Sequence, residues 1–323
     1  MSSADTQASR SGALREADEA EPIKAIKLRH PWRVVFAVVL ILLLVWFVVD
    51  ALQRPAYGWP YVIKYVFDRR ISAAALVTLE ITVLSMVIAI ILGLLLAVMR
   101  LSPNPVVKYI AWLYLWVFRG TPVYVQLVFW GLFSLIYKDL FVGVPFTHLG
   151  VDLDLGFMTN TFIIAVVGLS LNEAAYMAEI VRAGLLSVDR GQEEAATALG
   201  MGWGQTMGRI VVPQAMRVII PPTGNEVISM LKTTSLVAAI PLTTDLYGVS
   251  RDISAVTFTP IPLLIVASIW YLAFTSILMV GQFYLEKRFS RGVGDRRPPE
   301  GPKQPGTITE TVRVMRNKEG DQA

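Results

Sequence analysis

Gly191–Pro213, GQEEAATALGMGWGQTMGRIVVP, is a polar, small-residue stretch set between long apolar runs. It reads as helix, turn, helix. Asp189 stands where free N–H groups need a cap, and Gln192, three residues on, is placed as the reciprocal capping-box partner. Acidic Glu193 and Glu194 suit a helix N-terminus. Ala195, Ala196 and Ala198 leave a low-relief surface for a partner's groove, and Gly200 supplies the left-handed residue that commonly ends a helix. A second polar helix is expected after the break. The composition of the segment suits docking against another protein.

The runs on either side decide the solvent. Of 323 residues 54% are hydrophobic and only 17% charged, with mean hydropathy +0.54, whereas soluble domains are roughly 25% charged. The chain is read as an all-α integral membrane protein. It has no Cys, which excludes disulfides, thiolate metal sites and cysteine nucleophiles. Its only histidines, His30 and His148, stand in a basic tail and a loop, so a metal or triad site built on histidine is not expected. The net charge of +4 comes from basic residues beside apolar runs, as membrane-flanking charges do. They are read as topology signals and not as a nucleic-acid surface.

A spanning helix needs about 20 largely apolar residues. Six segments qualify: 34–52, 71–99, 122–137 preceded by an amphipathic helix near 106–117, 157–180, 218–242 and 261–285. Basic residues collect on the cytoplasmic side. With both termini inside, that side receives Lys24, Lys27, Arg29 and Arg33, then Arg100, Lys108 and Arg119, then Arg182, Arg190, Arg209 and Arg217, then Lys287, Arg288 and Arg291. The loop 138–160, with Asp139, Asp152 and Asp154, falls outside. Arg54, Lys64, Arg69 and Arg70 fall outside too, interleaved with Tyr57, Trp59, Tyr61 and Tyr65, and are read as an interfacial segment with aromatic anchors. Residues 31–70 are thus an N-terminal anchor with an interfacial segment, too far from the start to be a signal peptide. Residues 1–30 and 289–323 are expected to be disordered cytoplasmic tails. The segment 189–217 is placed in the cytoplasm.

There the spacing acquires a meaning. Glu194-Ala195-Ala196, Gly200, Ile210 and Val212-Pro213 resemble the signature loop of binding-protein-dependent ABC importer permeases: Glu-Ala-Ala, three residues, Gly, nine residues, Ile, one residue, an apolar residue and Pro. Every spacing is met, with Val212 where Leu is commoner. A surface hairpin without a partner predicts no such spacing. Three further stretches are similar to the polar amino-acid uptake branch of that family: Phe118-Arg119-Gly120-Thr121-Pro122 with Val125-Gln126-Leu127; Ala175-Tyr176, Ala178-Glu179, Arg182 and Gly191-Gln192; and Asn225, Ile228, Lys232 and Thr234-Ser235-Leu236. The resemblance covers roughly residues 70–285. It implies a type I ABC importer permease core of five transmembrane helices over 71–288, plus one N-terminal anchor helix, in a bacterial cytoplasmic (inner) membrane.

Ionisable groups at membrane depth are costly, so they face a protein interior or a water-filled path. Glu80, Glu173, Glu226 and Lys232 stand out. An amino acid needs acceptors for its ammonium and donors for its carboxylate. Glu173 with Asn172, and Glu80 with Thr82, are candidate acceptors. Asn225, Ser229 and Lys232 fall at i, i+4 and i+7 on one helical face and are candidate donors. The alternative is that Lys232 pairs with Glu226 or Glu173 and only holds helices together. Glu179 and Arg182, at i and i+3, read as a structural pair. The stripe Trp112, Leu115 and Trp116 reads as packing. Pro221-Pro222 and Gly224 are expected to interrupt the fifth span, as broken backbone lining a cavity does.

The chain has no GxxxxGK[ST] phosphate loop, so nucleotide hydrolysis must lie elsewhere. The resemblance implies an ABC ATPase dimer carrying ATP and Mg, a second permease subunit that is identical or homologous, an extracytoplasmic solute-binding protein and an amino-acid substrate. This chain itself holds no cofactor or metal and is not an enzyme. Glu193, Glu194, Ala195, Ala196, Gly200, Ile210 and Pro213 would form the contact with the ATPase. A similar core also serves opines or short peptides, and an ion-coupled secondary transporter would show inverted repeats and more spans.

Overall fold

The computed structural model describes residues 31–137, 139–143, 150–154 and 156–289. The two tails, with His30, lie outside them, as does His148; Phe289 closes the last helix. The chain divides into two units at Tyr57/Gly58. The first contains α1, Pro31–Gln53, a 23-residue apolar helix, and a 3-10 turn, Pro55–Tyr57.

The second unit holds α2 (Trp59–Val66), α3 (Arg69–Leu101), α4 (Pro105–Gly120) and α5 (Val123–Ile136). A hairpin of β1 (Asp139–Gly143) and β2 (Gly150–Asp154) follows. Then come α6 (Thr161–Leu186), α7 (Arg190–Ala198), α8 (Trp203–Thr206), α9 (Val212–Thr233), α10 (Leu246–Thr257) and α11 (Pro260–Phe289). Among the described residues α1, α3, α6 and α11 are long and apolar enough to cross a membrane. The expected third span is α5, only 14 residues. The expected fifth is α9, 22 residues that carry Arg217, Glu226 and Lys232.

The core is the contact between α3 and α6, which run parallel. Their shared face is rich in small buried residues: Ala89 and Gly93 of α3 lie with Ala165, Ala174, Ala175 and Ala178 of α6, and Ala97 with Val181. Lipid tails are as apolar as Leu, so close backbone packing, not apolarity, joins helices in a bilayer. At Gly93 an added Cβ would lie 2.5 Å from Met177 Cβ and 3.0 Å from the Ala178 nitrogen. Buried hydroxyls bond nearby carbonyls: Thr78 to Ala74, Thr82 to Thr78, and Ser85 across to Val166. Thr78 Oγ1 also accepts from the Leu246 N–H, which seats α10 on α3.

Local chemistry sets the helix ends. Asp68 caps α3 by accepting from Arg70 N, and the Arg70 guanidinium beside it holds its carboxyl below the usual carboxylate range. Asn160 Oδ1 accepts from the Phe162 and Ile163 N–H groups. That cap starts α6 at Thr161, later than the expected 157, because Gly156–Thr159 is a 3-10 turn. The interfacial segment is α2, which buries Val62 and Tyr65 and leaves Tyr61 and Ile63 exposed; Trp270 Nε1 donates to the Val66 carbonyl and ties it to α11.

Two elements depart from the sequence reading. The loop 138–160 contains an antiparallel hairpin pairing Asp139 with Asp154 and Gly143 with Gly150, so the fold is helical with one short β-ribbon. GVDLD alternates apolar and polar residues, the strand period. Residues 246–257, between the fifth and sixth expected spans, form α10. Asp245 caps it through Tyr247 N and Gly248 N, and Leu246, Ser250 and Ile253 bury one face.

The α3–α6 contact predicts the outcome of a simple substitution. Gly93→Leu is expected to destabilise the protein by about 1–3 kcal/mol or more, read as a lower thermal midpoint in detergent. Gly281→Ala, where an added Cβ meets nothing within 4 Å, is expected to leave the midpoint unchanged.

Candidate substrate path and coupling surface

Three of the candidate polar side chains, Asn172, Glu173 and Ser229, meet between α6 and α9. A cavity of about 180 Å³ is lined by Val123, Leu169, Asn172, Glu173, Tyr176, Ser229, Met230 and Thr233. Its size suits one small solute rather than a drug-sized ligand. Glu173 is 8% exposed, and its Oε1 is buried with no hydrogen-bond partner. Glu226 faces it from α9. A buried, unsatisfied carboxylate oxygen is costly to leave unpaired. Two carboxylates facing one another across helices form an acceptor set for a cation. A larger cavity, about 800 Å³, lies between α3, α6, α9 and α11. Its walls are almost wholly apolar, so it offers little to a zwitterion.

Not all the candidates share the small cavity. Ser229 and Glu173 line it from opposite helices. Asn172 lines it too, but its Nδ2 donates elsewhere, to the Phe118 carbonyl at 3.0 Å and to Gln126 Oε1 at 3.1 Å. Gln126 Nε2 in turn donates to the carbonyls of Phe118 and Thr121 and to Thr121 Oγ1. Asn172 and Gln126 therefore hold the turn between α4 and α5, satisfying carbonyls that the break at Thr121-Pro122 leaves free. Glu80 is exposed on α3 and lines no wall of this cavity, and Thr82 donates within α3. Asn225 and Lys232 are exposed on α9. Lys232 forms no ion pair with Glu226 or Glu173 among the described residues, so the pairing alternative is not what the structure has.

The fifth span also differs from expectation at Pro221-Pro222 and Gly224, where α9 runs through without a break. Neighbouring groups compensate: Thr223 Oγ1 donates to Ile219 O, and Gln282 Nε2 of α11 donates to Pro221 O at 2.7 Å. Irregularity is moved to the ends, a π turn at Met207–Val211 and a 3-10 turn at Thr234–Ala239.

The 189–217 segment folds as helix, turn, helix. Asp189 Oδ1 accepts from Gly191 N at 2.8 Å. The reciprocal bond expected of Gln192 is not made: its Oε1 accepts from Gln214 Nε2 at 3.5 Å, which fastens α7 to the start of α9. Gly200 has φ +76°, with Gly200 N bonding Thr197 O and Met201 N bonding Ala196 O. That pair of bonds is the left-handed helix end expected of a glycine there. Glu193, Glu194 and Ala195 are exposed and Ala196 is buried. Ile210 sits in the π turn, and Pro213 is the second residue of α9, directly after it. The sequence reading overlooked Leu199 and Trp203, 82% and 77% exposed on either side of Gly200. Two large apolar residues flanking a glycine in a polar loop were the available signal. Glu179 and Arg182 pair as expected, at 2.8 Å, with Arg119 at 4.0 Å from the same carboxylate.

Residues 89–291 match the model of the binding-protein-dependent transport system inner membrane component family. The chain belongs to that family. This permease is 56% identical over 275 residues to the arginine transport system permease protein ArgU of Corynebacterium glutamicum, covering 85% of each chain. It is 35% identical to the histidine/lysine/arginine/ornithine transport system permease protein HisM of Escherichia coli, over 67% of this chain and 87% of that one. Among solved structures, an amino acid ABC transporter crystallised with histidines aligns with TM-score 0.57 and 33% identity, covering 70% of this chain and 96% of that one. The protein is a multi-pass membrane permease subunit of an ABC importer.

The polar bridge over the α4–α5 turn makes a measurable coupling. Asn172→Ala and Gln126→Ala are expected to be non-additive in a thermal-stability double-mutant cycle, with an interaction energy of about 0.5–3 kcal/mol. Additive effects would remove the bridge from this account.

Proposed function

We propose that this permease carries amino acids with a cationic side chain, of the arginine type, inward across a bacterial cytoplasmic membrane, and that it hydrolyses nothing itself. The carrying observation is the partnerless Oε1 of buried Glu173 in the wall of a cavity of single-solute size, with the Glu226 carboxyl close by on α9. The permeases it resembles, named for arginine and for histidine, lysine, arginine and ornithine, support the same reading. A guanidinium or second ammonium placed between the two carboxylates would satisfy the orphan oxygen and keep both groups ionised. Ser229 at the cavity wall is a donor for the substrate carboxylate, with Lys232 and Asn225 further along the same helix. Glu80 and Asn172 are assigned no direct contact with substrate.

Coupling is proposed through α7. Glu193, Glu194, Ala195 and Ala196 present the helix, Gly200 ends it, and Leu199 and Trp203 enter an apolar groove on an ABC ATPase subunit. The π turn holding Ile210, followed by Pro213, makes α7, α8 and α9 mechanically continuous, so displacement of the loop tilts the helix that carries Ser229 and Glu226. ATP and Mg bind on the ATPase dimer, a second permease copy or homologue completes the membrane path, and an extracytoplasmic binding protein delivers the solute. Both termini lie in the cytoplasm, which places the basic flanks Arg100, Arg119, Arg182 and Arg209 on the side where such residues accumulate.

Reconstitution with the ATPase and the binding protein in proteoliposomes tests both halves. Gly200→Val is expected to abolish uptake and substrate-stimulated ATP hydrolysis while membrane insertion persists; normal uptake would remove the coupling role. Glu173→Gln is expected to raise KM for arginine by about tenfold or more, the size of one charge-assisted hydrogen bond. Unchanged kinetics for arginine, or preference for a neutral amino acid in the wild type, would overturn the substrate class.

A further inference from the structure

A second polar cavity lies away from the substrate path, at the end of the bundle that carries α7. It has a volume of about 310 Å³, and its walls include Arg100, Trp112, Trp116, Arg119 and Glu179. Arg100 is the last basic residue of α3, Arg119 the last of α4. The Nε of Arg100 is buried and has no hydrogen-bond partner. Glu179 cannot neutralise this corner: Arg182 takes its Oε2 through two bonds of 3.0 and 2.8 Å, and Arg119 reaches its other oxygen only at 4.0 Å. The guanidinium of Arg119 lies instead over the Tyr176 ring, 5.6 Å from its centroid. Three arginines thus surround one carboxylate, and Arg100 and Arg119 keep donors to spare. The outer wall is aromatic. Trp112 and Trp116 stack at 6.2 Å with an interplanar angle of 13°, and both are exposed. Tyr109 lies tilted against Trp112, with ring centroids 5.3 Å apart.

Unpaired guanidinium donors call for an oxyanion, and Arg matches phosphate through paired N–H groups. Exposed tryptophans beside them are the side chains that settle at headgroup depth. Basic pockets between spanning helices bind anionic headgroups in this way. We propose that the corner between the ends of α3, α4 and α6 binds the phosphodiester of an anionic phospholipid, with Arg100 and Arg119 on the phosphate and Trp112 and Trp116 against the glycerol and upper acyl chains. The occupied site would clamp α4 to the α3–α6 pair beside the coupling segment. It is independent of which amino acid is carried.

The test uses the full chain purified in detergent and offered equal phosphatidylglycerol and phosphatidylcholine, with bound lipid read by native mass spectrometry. Wild type is expected to retain phosphatidylglycerol preferentially. Arg100→Gln/Arg119→Gln is expected to lose that preference by about fivefold per arginine removed, and Arg100→Lys/Arg119→Lys to keep most of it. If the double glutamine variant does not purify, the single Arg100→Gln variant reads the same loss for one arginine. An equal preference in the glutamine variants, or none in wild type, overturns the site. Inorganic phosphate displacing phosphatidylglycerol at equal concentration would assign the pocket to a free anion and overturn the lipid.

Discussion

The close approach of α3 and α6 is the constraint on which the rest of the structure depends. In a bilayer two helices gain nothing from hiding Leu against Leu, so a stable contact needs backbones near enough for dispersion and short polar bonds to accumulate. Gly93, the alanines around it and the facing alanines of α6 provide that nearness. Fixing α6 against α3 fixes everything α6 carries. Asn172 reaches the α4–α5 turn, Glu173 turns toward α9, and Glu179 and Arg182 stand at the end beside Arg100 and Arg119. One small-residue seam therefore positions the polar cavity, the polar bridge and the basic corner together.

The helix that faces α6 across the cavity is covalently continuous with the exposed loop. From α7 the chain passes a left-handed glycine, one short helical turn and a π turn, and enters α9. Gln192 bonding Gln214 closes this path on itself. A π turn inserts one extra residue per bond ring and is a place where a helix can change register. α9 beyond it, braced at Pro221 by Gln282, carries Ser229 to the cavity wall.

How much of this was legible in the sequence follows from the range of each signal. The helix end in the signature loop was readable because capping and a left-handed glycine are local: Asp189 and Gly200 do in the structure what their chemistry dictates. The Glu179–Arg182 pair was readable for the same reason, since three residues on a helix are neighbours. Pro221-Pro222 misled because the compensation comes from Gln282, sixty residues away. Gln192 misled because a competing partner, Gln214, is supplied by a later helix. Asn172 read as a cavity acceptor, yet its amide is spent on Phe118 and Gln126, which only packing brings near. α10 was missed because a short amphipathic helix is recognised by the face it buries against α3, and that face is tertiary information.

The sequence by itself determined that the chain lives in a membrane and which family its spacings resemble, because hydropathy and motif spacing are properties of consecutive residues. Only the tertiary structure decided that Glu173 meets Glu226 and not Lys232, that Glu80 lies apart from them, and that Arg100 is left without a partner. Those outcomes depend on the distance and rotation between helices. In a bilayer these are set by how closely small residues let two backbones approach, a quantity no single segment contains.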